Sequence, residues 1–172
     1  MSVQIRFLLF AALLAFITAC NALKPMSTTP RPPTPSSTAS KSSMKMREEI
    51  TDYAKKFVGT HYKYAGQSPG TGFDCSGFTS YVMKGFGVTL SPASAAQSTT
   101  GQKIPLDRVL PGDLLFFGDS EKKIQHVGLV VKSDKKGITC VHSTTSRGVI
   151  VENVSASSYW KPKILFARDV LK

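Results

Sequence analysis

Residues 73–83 read FDCSGFTSYVM, and this stretch predicts the helix around which the domain is arranged. Asp74 is a favourable N-cap, because its carboxylate can accept a hydrogen bond from an unpaired N–H group of the first turn. Cys75 then lies in that first turn, where free N–H groups and the helix dipole favour a thiolate. The small residues Ser76 and Gly77 leave the thiol accessible. The stretch therefore predicts a helix that begins near Asp74 and presents a reactive cysteine.

Secondary-structure signals change from helical to extended along the chain. A helix is predicted over residues 46–58 with Gly59 as its stop, a Gly-rich loop over 65–72, and a short helix or turn over 92–99. The remaining apolar segments alternate with turn residues and predict strands over 114–117, 127–131, 138–142, 149–154 and 164–170. Helices followed by antiparallel strands indicate an α+β fold with N-terminal helices packed on one side of an antiparallel β-sheet.

A nucleophilic thiol needs a base within hydrogen-bond reach and a third group that orients the base. His126 directly precedes the strand at 127–131, and His142 ends the next predicted strand. Because a short turn joins these strands, we expect the two histidines to lie side by side. Zinc held by Cys75 and both histidines is an alternative, although the short ligand spacings of most zinc sites are missing.

The other cysteine and histidine of this part of the chain have simpler interpretations. Cys140 lies among apolar strand residues and is predicted to be buried. His61 is interpreted as incidental. The chain has three cysteines, an odd number without paired spacing, which argues against a disulfide framework.

Charge and length restrict the functional classes. The 172 residues carry a formal charge of +11, and about half of that excess lies before residue 46. The remaining lysines are scattered, with no basic stripe interleaved with aromatic residues, so nucleic-acid binding is not expected. One domain of ordinary size fits the length.

The N-terminal residues predict export. An apolar run over residues 7–19 follows Arg6 and is shorter than the about 20 residues that a membrane-spanning helix needs, so residues 1–19 are predicted to be a signal peptide. Residues 17–20 read ITAC and resemble the bacterial lipobox, which implies lipidation of Cys20. A plain signal peptide and a transmembrane anchor are the alternatives. Asn21 rather than Asp favours the outer membrane, by resemblance to lipoprotein sorting in enteric-type bacteria.

Residues 20–45 are rich in Pro, Ser and Thr and contain no acidic residue. They are predicted to form a disordered tether, because they offer little to bury. The predicted organisation is therefore a signal peptide over 1–19, a lipidated tether over 20–45 and a folded domain over 46–172.

Five motifs in register resemble the NlpC/P60 family of cell-wall cysteine peptidases, over essentially all of residues 46–172. The resemblance implies a papain-like fold, a peptidoglycan peptide as substrate and no metal or other cofactor. The motifs are GTHYKYAG at 59–66, FDCSGF at 73–78, LPGDL at 110–114, HVG at 126–128 and VHS at 141–143.

The resemblance also implies roles for individual residues. Cys75 corresponds to the nucleophile, His126 to the general base and His142 to the residue that orients His126. Tyr62 matches the tyrosine whose hydroxyl lines the oxyanion site, and Tyr64 is the less favoured choice.

Asp74, Ser76 and Ser94 match positions that hold the amine end of the peptide in some members. The chain departs from the family in two places. It reads Leu90-Ser91-Pro92 where many members read Leu-Pro-Arg, so that arginine is missing from the expected substrate pocket, and Ala65-Gly66 replaces a Gly-Gly pair.

The expected function is hydrolysis of a peptide-stem or crosslink bond at diaminopimelate by a monomeric, lipid-anchored enzyme of the periplasm. The stretch from Gly148 to Trp160 is similar to small lipoprotein members, which favours the D-alanyl–diaminopimelate crosslink over the γ-D-glutamyl–diaminopimelate bond. A Cys/His wall amidase and a non-catalytic wall-binding lipoprotein are the alternatives.

Overall fold

A computed structural model describes residues 37–171 of the chain, with side chains from residue 40 onward. The predicted signal peptide, the lipidation site at Cys20 and the tether up to residue 36 lie outside the described residues.

The first helix, α1, spans Ser37–Lys55 and begins nine residues before the predicted start at Met46. The prediction of a disordered tether over 20–45 is therefore wrong for residues 37–45. Pro35 is the last proline before this segment, so no residue of 37–45 interrupts a helix extended backward from its packed end. Ile50 and Ala54 are fully buried and attach that end to the core.

The second helix begins where the sequence predicts. A small hairpin of β1 (Gln67–Ser68) and β2 (Gly72–Phe73) fills the Gly-rich loop and leads into α2 (Cys75–Lys84). Asp74 caps α2 by accepting a hydrogen bond of 2.6 Å from the backbone N–H of Gly77. Gly77 packs tightly on the hairpin loop, because a Cβ there would lie 2.0 Å from the carbonyl oxygen of Gly66.

The remaining elements build one antiparallel sheet. A single-turn helix, α3 (Ser94–Gln97), precedes β3, and the strand order is β3-β8-β4-β5-β6-β7. The short polar strand β3 carries no sequence signal and was not predicted, whereas the five predicted strands are present with shifted ends. The strands are β3 (Gln102–Ile104), β4 (Leu114–Ser120), β5 (Lys123–Asp134), β6 (Gly137–Thr144), β7 (Gly148–Asn153) and β8 (Ile164–Asp169).

The two faces of the sheet have separate cores. Both long helices pack on one face, where apolar residues such as Phe116, Val127 and Leu129 meet Phe78 and Val82 of α2. The other face is covered by the segment before β8, which inserts Trp160 among Leu115, Phe117, Val130 and Cys140. The α+β class, with helices packed on one side of an antiparallel sheet, is therefore confirmed.

A β-bulge interrupts the pairing of β4 with β5. Phe117 pairs with His126 and Gly118 with Ile124, so Gln125 is the extra residue. Bulges beside active sites commonly re-aim a neighbouring side chain, and this one lies next to His126. Within residues 37–171, no helix has the length and apolar character needed to cross a membrane.

Candidate active site

The two predicted site histidines are in contact. His126 on β5 and His142 on the neighbouring strand β6 are joined by a hydrogen bond of 2.9 Å between His126 Nε2 and His142 Nδ1. The structure therefore brings the pair together as the order of the strands predicted. Both side chains are buried, with 8% of His126 and 0% of His142 exposed.

An acidic residue extends this pair. Nε2 of His142 lies 3.2 Å from Oε1 of Glu152 on β7, and the other oxygen of Glu152 accepts a hydrogen bond of 2.8 Å from Arg147. We call the chain His126–His142–Glu152 the histidine relay. Glu152 was not predicted. The one sign of it in the sequence is that Glu152 is the single acidic residue of the predicted strand at 149–154.

Aromatic rings enclose the relay. The ring of Trp160 stacks on His126 with centroids 4.4 Å apart and an interplanar angle of 26°, and its edge meets His142 at 5.1 Å. Phe117 contacts the ring of His126 at 5.5 Å. These rings keep water away from the imidazoles. Trp160 was part of the family resemblance, but no role was predicted for it.

The environment keeps both histidines neutral. Burial lowers the pKa of His126 well below its usual value, and the neighbouring His142 acts in the same direction. Burial also lowers the pKa of His142, to about 4, although the Glu152 carboxylate opposes this. Near neutral pH, each ring therefore carries a single proton and retains one lone pair.

Cys75 is the first residue of α2, the helix that packs on β5, which carries His126. The backbone N–H of Val127, the residue after His126, acts to lower the pKa of the Cys75 thiol. Burial nevertheless raises the pKa of the Cys75 thiol, and the nearby Asp74 carboxylate adds to the increase. The expectation that the helix start alone favours a thiolate is thus outweighed by burial. A proton acceptor is needed to activate this thiol.

The two candidate tyrosines have different surroundings. Tyr62 forms an isolated bridge with Phe73, close to Cys75 in the chain. Burial raises the pKa of Tyr62, and the charges of Cys75 and Asp74 raise it further. Tyr64 is 83% exposed. Tyr62 is therefore the tyrosine that shares the environment of Cys75.

The predicted substrate-binding residues have different surroundings. The Ser76 hydroxyl is buried and donates a hydrogen bond of 2.7 Å to the carbonyl of Pro92. It also lies 3.2 Å from Oδ1 of Asp74, the same oxygen that caps α2. Ser94 is partly exposed at the start of α3. Ser76 therefore holds the loop after Leu90 against α2, while Asp74 and Ser94 remain partly accessible.

A second residue that was not predicted, Gln97, holds the same loop. Gln97 is fully buried, and its amide donates hydrogen bonds to the carbonyls of Ser76 (2.9 Å) and Ser91 (2.6 Å). Its carbonyl accepts a hydrogen bond of 2.7 Å from Thr79. Ser91 lies in the segment where the chain departs from the family pattern, so this loop is held by a neutral amide.

The geometry of the two histidines does not favour the zinc alternative. His126 and His142 use facing ring nitrogens to bond each other rather than to converge on a common point with Cys75. In the part of the chain that the structure describes, no group of three or more His, Cys, Asp or Glu side chains is placed to hold a metal ion. His61 is exposed and is not a member of the histidine relay.

Comparison with known proteins connects this geometry to a family. The model of the NlpC/P60 family matches residues 59–169. The chain is 37% identical over 126 residues to the gamma-DL-glutamyl hydrolase of Bacillus subtilis, an alignment that covers 72% of this chain and 30% of that protein. It is 36% identical over 115 residues to the probable endopeptidase p60 of Listeria seeligeri, covering 67% of this chain and 21% of that protein.

Solved structures share the same fold. A crystal structure of an NlpC/P60 family protein from Bacillus cereus superposes with a TM-score of 0.67 at 28% sequence identity. The match covers 73% of this chain and 40% of that one. The chain thus spans about a third or less of the length of the two curated relatives.

Proposed function

The chain belongs to the NlpC/P60 family, and from that premise we propose that it is a cysteine-type peptidoglycan endopeptidase. The observation that carries the proposal is the position of Cys75 at the start of α2, which packs on β5, the strand that carries His126 of the histidine relay. A thiol, a neutral base and a group that orients the base are the components of thiol-dependent acyl transfer.

In the proposed mechanism, His126 takes the proton of the Cys75 thiol as the sulfur attacks the carbonyl carbon of the scissile amide. The tetrahedral oxyanion is stabilised by the Tyr62 hydroxyl and the backbone N–H of Cys75. His126 then gives the proton to the leaving amine, and a thioester remains. Water, deprotonated by His126, cleaves the thioester and releases the free thiol. His142 holds the ring of His126 in place throughout, and no cofactor takes part.

The proposed substrate is a peptide of the wall, cut at diaminopimelate. Two bonds compete: the γ-D-glutamyl–diaminopimelate bond within a stem and the D-alanyl–diaminopimelate crosslink. The B. subtilis relative is named for glutamyl hydrolysis, which favours the bond within a stem, whereas the stretch from Gly148 to Trp160 favoured the crosslink. We place the glutamyl bond first. Asp74 and Ser94 are proposed to bind the amine end of the peptide.

We further propose that the enzyme works as a monomer anchored to the outer membrane through lipid on Cys20, facing the periplasm. This rests on the ITAC sequence at residues 17–20 and on Asn21. Metabolic labelling with a radioactive fatty acid tests the anchor. The label should enter the wild-type protein and be absent from Cys20→Ala.

Digestion of purified peptidoglycan tests the activity, with the products identified by mass. Cys75→Ala should lower the rate by at least about a thousandfold, because the reaction then lacks its nucleophile. Cys140→Ala is the matched control, since it removes a buried thiol from the core and should leave turnover intact.

The masses of the products also identify the bond. New amino ends on diaminopimelate support the endopeptidase, and the acyl partner shows which of the two bonds was cut. Peptides released from the sugar-linked lactate would indicate an amidase instead. Full activity of Cys75→Ala would overturn the thiol mechanism, and inactivity of the wild-type protein would favour a wall-binding lipoprotein.

A further inference from the structure

Glu152 is the last member of the histidine relay, and the mechanism above gives it no task. Its side chain is 19% exposed and lies 3.2 Å from the buried ring of His142. The other oxygen is bonded to Arg147, whose side chain is 55% exposed. A partly exposed ion pair of this kind contributes only about 0–1 kcal/mol to stability. The fold alone gives little reason for a carboxylate at this position.

The carboxylate determines where the protons of the relay lie. An ionised carboxylate can only accept hydrogen bonds, so the ring nitrogen that faces it, Nε2 of His142, must carry a hydrogen. His142 is neutral near pH 7 and therefore has a lone pair on Nδ1. That lone pair faces Nε2 of His126 at 2.9 Å, so His126 must donate through Nε2. The remaining nitrogen of neutral His126, Nδ1, then has the free lone pair.

The opposite arrangement of protons has a specific cost. If His142 carried its hydrogen on Nδ1, the lone pair on Nε2 would face a carboxylate oxygen at 3.2 Å, and the two would repel each other. His126 would then accept through Nε2 and carry its own hydrogen on Nδ1. In that state His126 could not take a proton at Nδ1. Glu152 thus disfavours the tautomer that lacks a base at this nitrogen.

We propose that Glu152 is a positioning residue that sets the tautomers of both His142 and His126, so that His126 presents its Nδ1 lone pair to the Cys75 thiol. For its consequence in catalysis, the inference rests on the proposed function. The tautomers themselves do not depend on any activity.

The proton balance of the first step follows from this arrangement. The S–H bond of Cys75 breaks and an N–H bond forms at Nδ1 of His126, which becomes a cation. Its Nε2–H remains bonded to the lone pair of His142, and the negative charge of Glu152 stabilises the cation through the neutral ring between them. The proton leaves His126 on the departing amine, which returns the relay to its starting state.

Arg147 moderates this effect. The charged groups that face His142 are Glu152 on β7 and Arg147 on the loop between β6 and β7, and His126 is its titratable neighbour on β5. The Arg147 cation lowers the pKa of His142, in opposition to Glu152. The same cation holds Glu152 by a bond of 2.8 Å. Arg147 therefore orients the Glu152 carboxylate while limiting how far that carboxylate raises the pKa of His142.

Nitrogen-15 NMR of the histidine rings tests the tautomers directly in the full chain at pH 7. The wild-type protein should show hydrogen on Nε2 of both His126 and His142. In Glu152→Gln, the side-chain amide can donate as well as accept, so we expect a mixture of tautomers at His142. Glu121→Gln is the matched control, because Glu121 also pairs with a cation, Lys103, at an exposed position away from the histidines.

Kinetics on peptidoglycan give the second readout. Glu152→Gln should lower kcat about tenfold to a hundredfold, the usual cost of removing a partner that orients a functional histidine, with KM and Tm close to wild type. Glu121→Gln should change neither constant. Arg147→Gln should raise the pKa of His142, followed by the same NMR signals.

The outcomes separate the inference from the proposed function. Hydrogen on Nδ1 of His142 in the wild-type protein, or unchanged tautomers and kcat in Glu152→Gln, would overturn the role of Glu152. A wild-type protein that cleaves no peptidoglycan would overturn the proposed function, while the NMR result would still decide the tautomers.

Discussion

Two buried polar clusters on the same sheet differ in what they leave available. The histidine relay consists of neutral rings and ends in a carboxylate. The second cluster, which we call the arginine cluster, joins Arg47 of α1 to Asp113 (2.7 Å) and Asp169 (2.9 Å) at the ends of the sheet. Arg47 also donates to the carbonyl of Pro111, and the N–H of Leu110 donates to Asp113. All three charged side chains are at most 8% exposed.

The difference lies in hydrogen-bonding capacity. In the arginine cluster, opposite charges and backbone groups satisfy one another, and the result is the attachment of α1 to the sheet. In the relay, each hydrogen bond determines which nitrogen of the next ring has a lone pair. The last of these lone pairs, on Nδ1 of His126, remains free. Burial alone therefore does not identify a functional polar cluster. A functional polar cluster is identified by an unused hydrogen-bond donor or acceptor beside a nucleophile.

The largest effect is expected from Arg47→Ala, which breaks the arginine cluster. Two carboxylates would stay buried without their cation, which costs about 3–5 kcal/mol of the free energy of unfolding. Urea denaturation at pH 7 measures this loss. At a temperature where the variant is still folded, kcat should match the wild type.

The complementary variant is His126→Ala, which should abolish turnover and lower the free energy of unfolding at pH 7 by less than Arg47→Ala does, because it leaves a neutral acceptor of His142 unpaired, at about 1–3 kcal/mol, rather than two buried charges. A large loss of kcat in folded Arg47→Ala would show that the two clusters are coupled. The distinction between a structural and a catalytic cluster would then be wrong.

A smaller effect is expected from pH, and it acts through the relay. The pKa of His142 is lowered to about 4 in the folded protein from about 6.5 in the unfolded chain, so the unfolded state binds more protons between these values. Stability should therefore be constant above pH 6.5 and fall as the pH approaches 4, by roughly 3 kcal/mol for His142 alone. Urea denaturation from pH 7.5 to 4.5 measures the slope.

His142→Asn provides the control for this pH dependence, because asparagine does not titrate. Its stability should fall less steeply over the same range, and the difference between the two curves isolates His142. Identical curves would mean that His142 does not remain neutral in the folded protein. Hydrolysis should likewise persist below pH 6.5, since the pKa of His126 is lowered too.

The sequence could predict the parts of the candidate active site that depend on local signals. The N-cap Asp74 and the apolar spacing that follows it define α2 and Cys75, and the turn at 134–137 places His126 and His142 on paired strands. These patterns are complete within a few residues. Membership of the family then follows from motifs that are themselves short.

The missed parts depend on contacts between distant segments. Glu152 meets His142 only because β7 pairs with β6, and Arg47 meets Asp113 across 66 positions of the chain. Residues 37–43 of α1 are mostly small and polar, so they carry no apolar spacing from which a single sequence could predict a helix. A single sequence shows the chemistry of such side chains but not their partners.

The smallest effect is expected at Gln97, a third buried polar group that is saturated like the arginine cluster but carries no charge. Gln97→Ala removes the two donors to the Ser76 and Ser91 carbonyls, and the loss should be about 1–2 kcal/mol, less than for a broken ion pair. Because these bonds hold the loop that carries Ser94, we expect KM for wall peptide to rise while kcat is retained.

Thr99→Ala is the matched control for this prediction, since it removes an exposed hydrogen bond of 2.9 Å from the same loop and should change neither stability nor KM appreciably. If Gln97→Ala lost as much stability as Arg47→Ala, then complete hydrogen bonding, rather than charge, would determine how much a buried polar cluster stabilises the fold. If it lowered kcat with KM unchanged, the loop would act on the Cys75 end of α2 rather than on the substrate. Gln97 would then be part of the catalytic machinery as well as of the fold, because the Ser76 carbonyl that it holds lies in the same helical turn as Cys75.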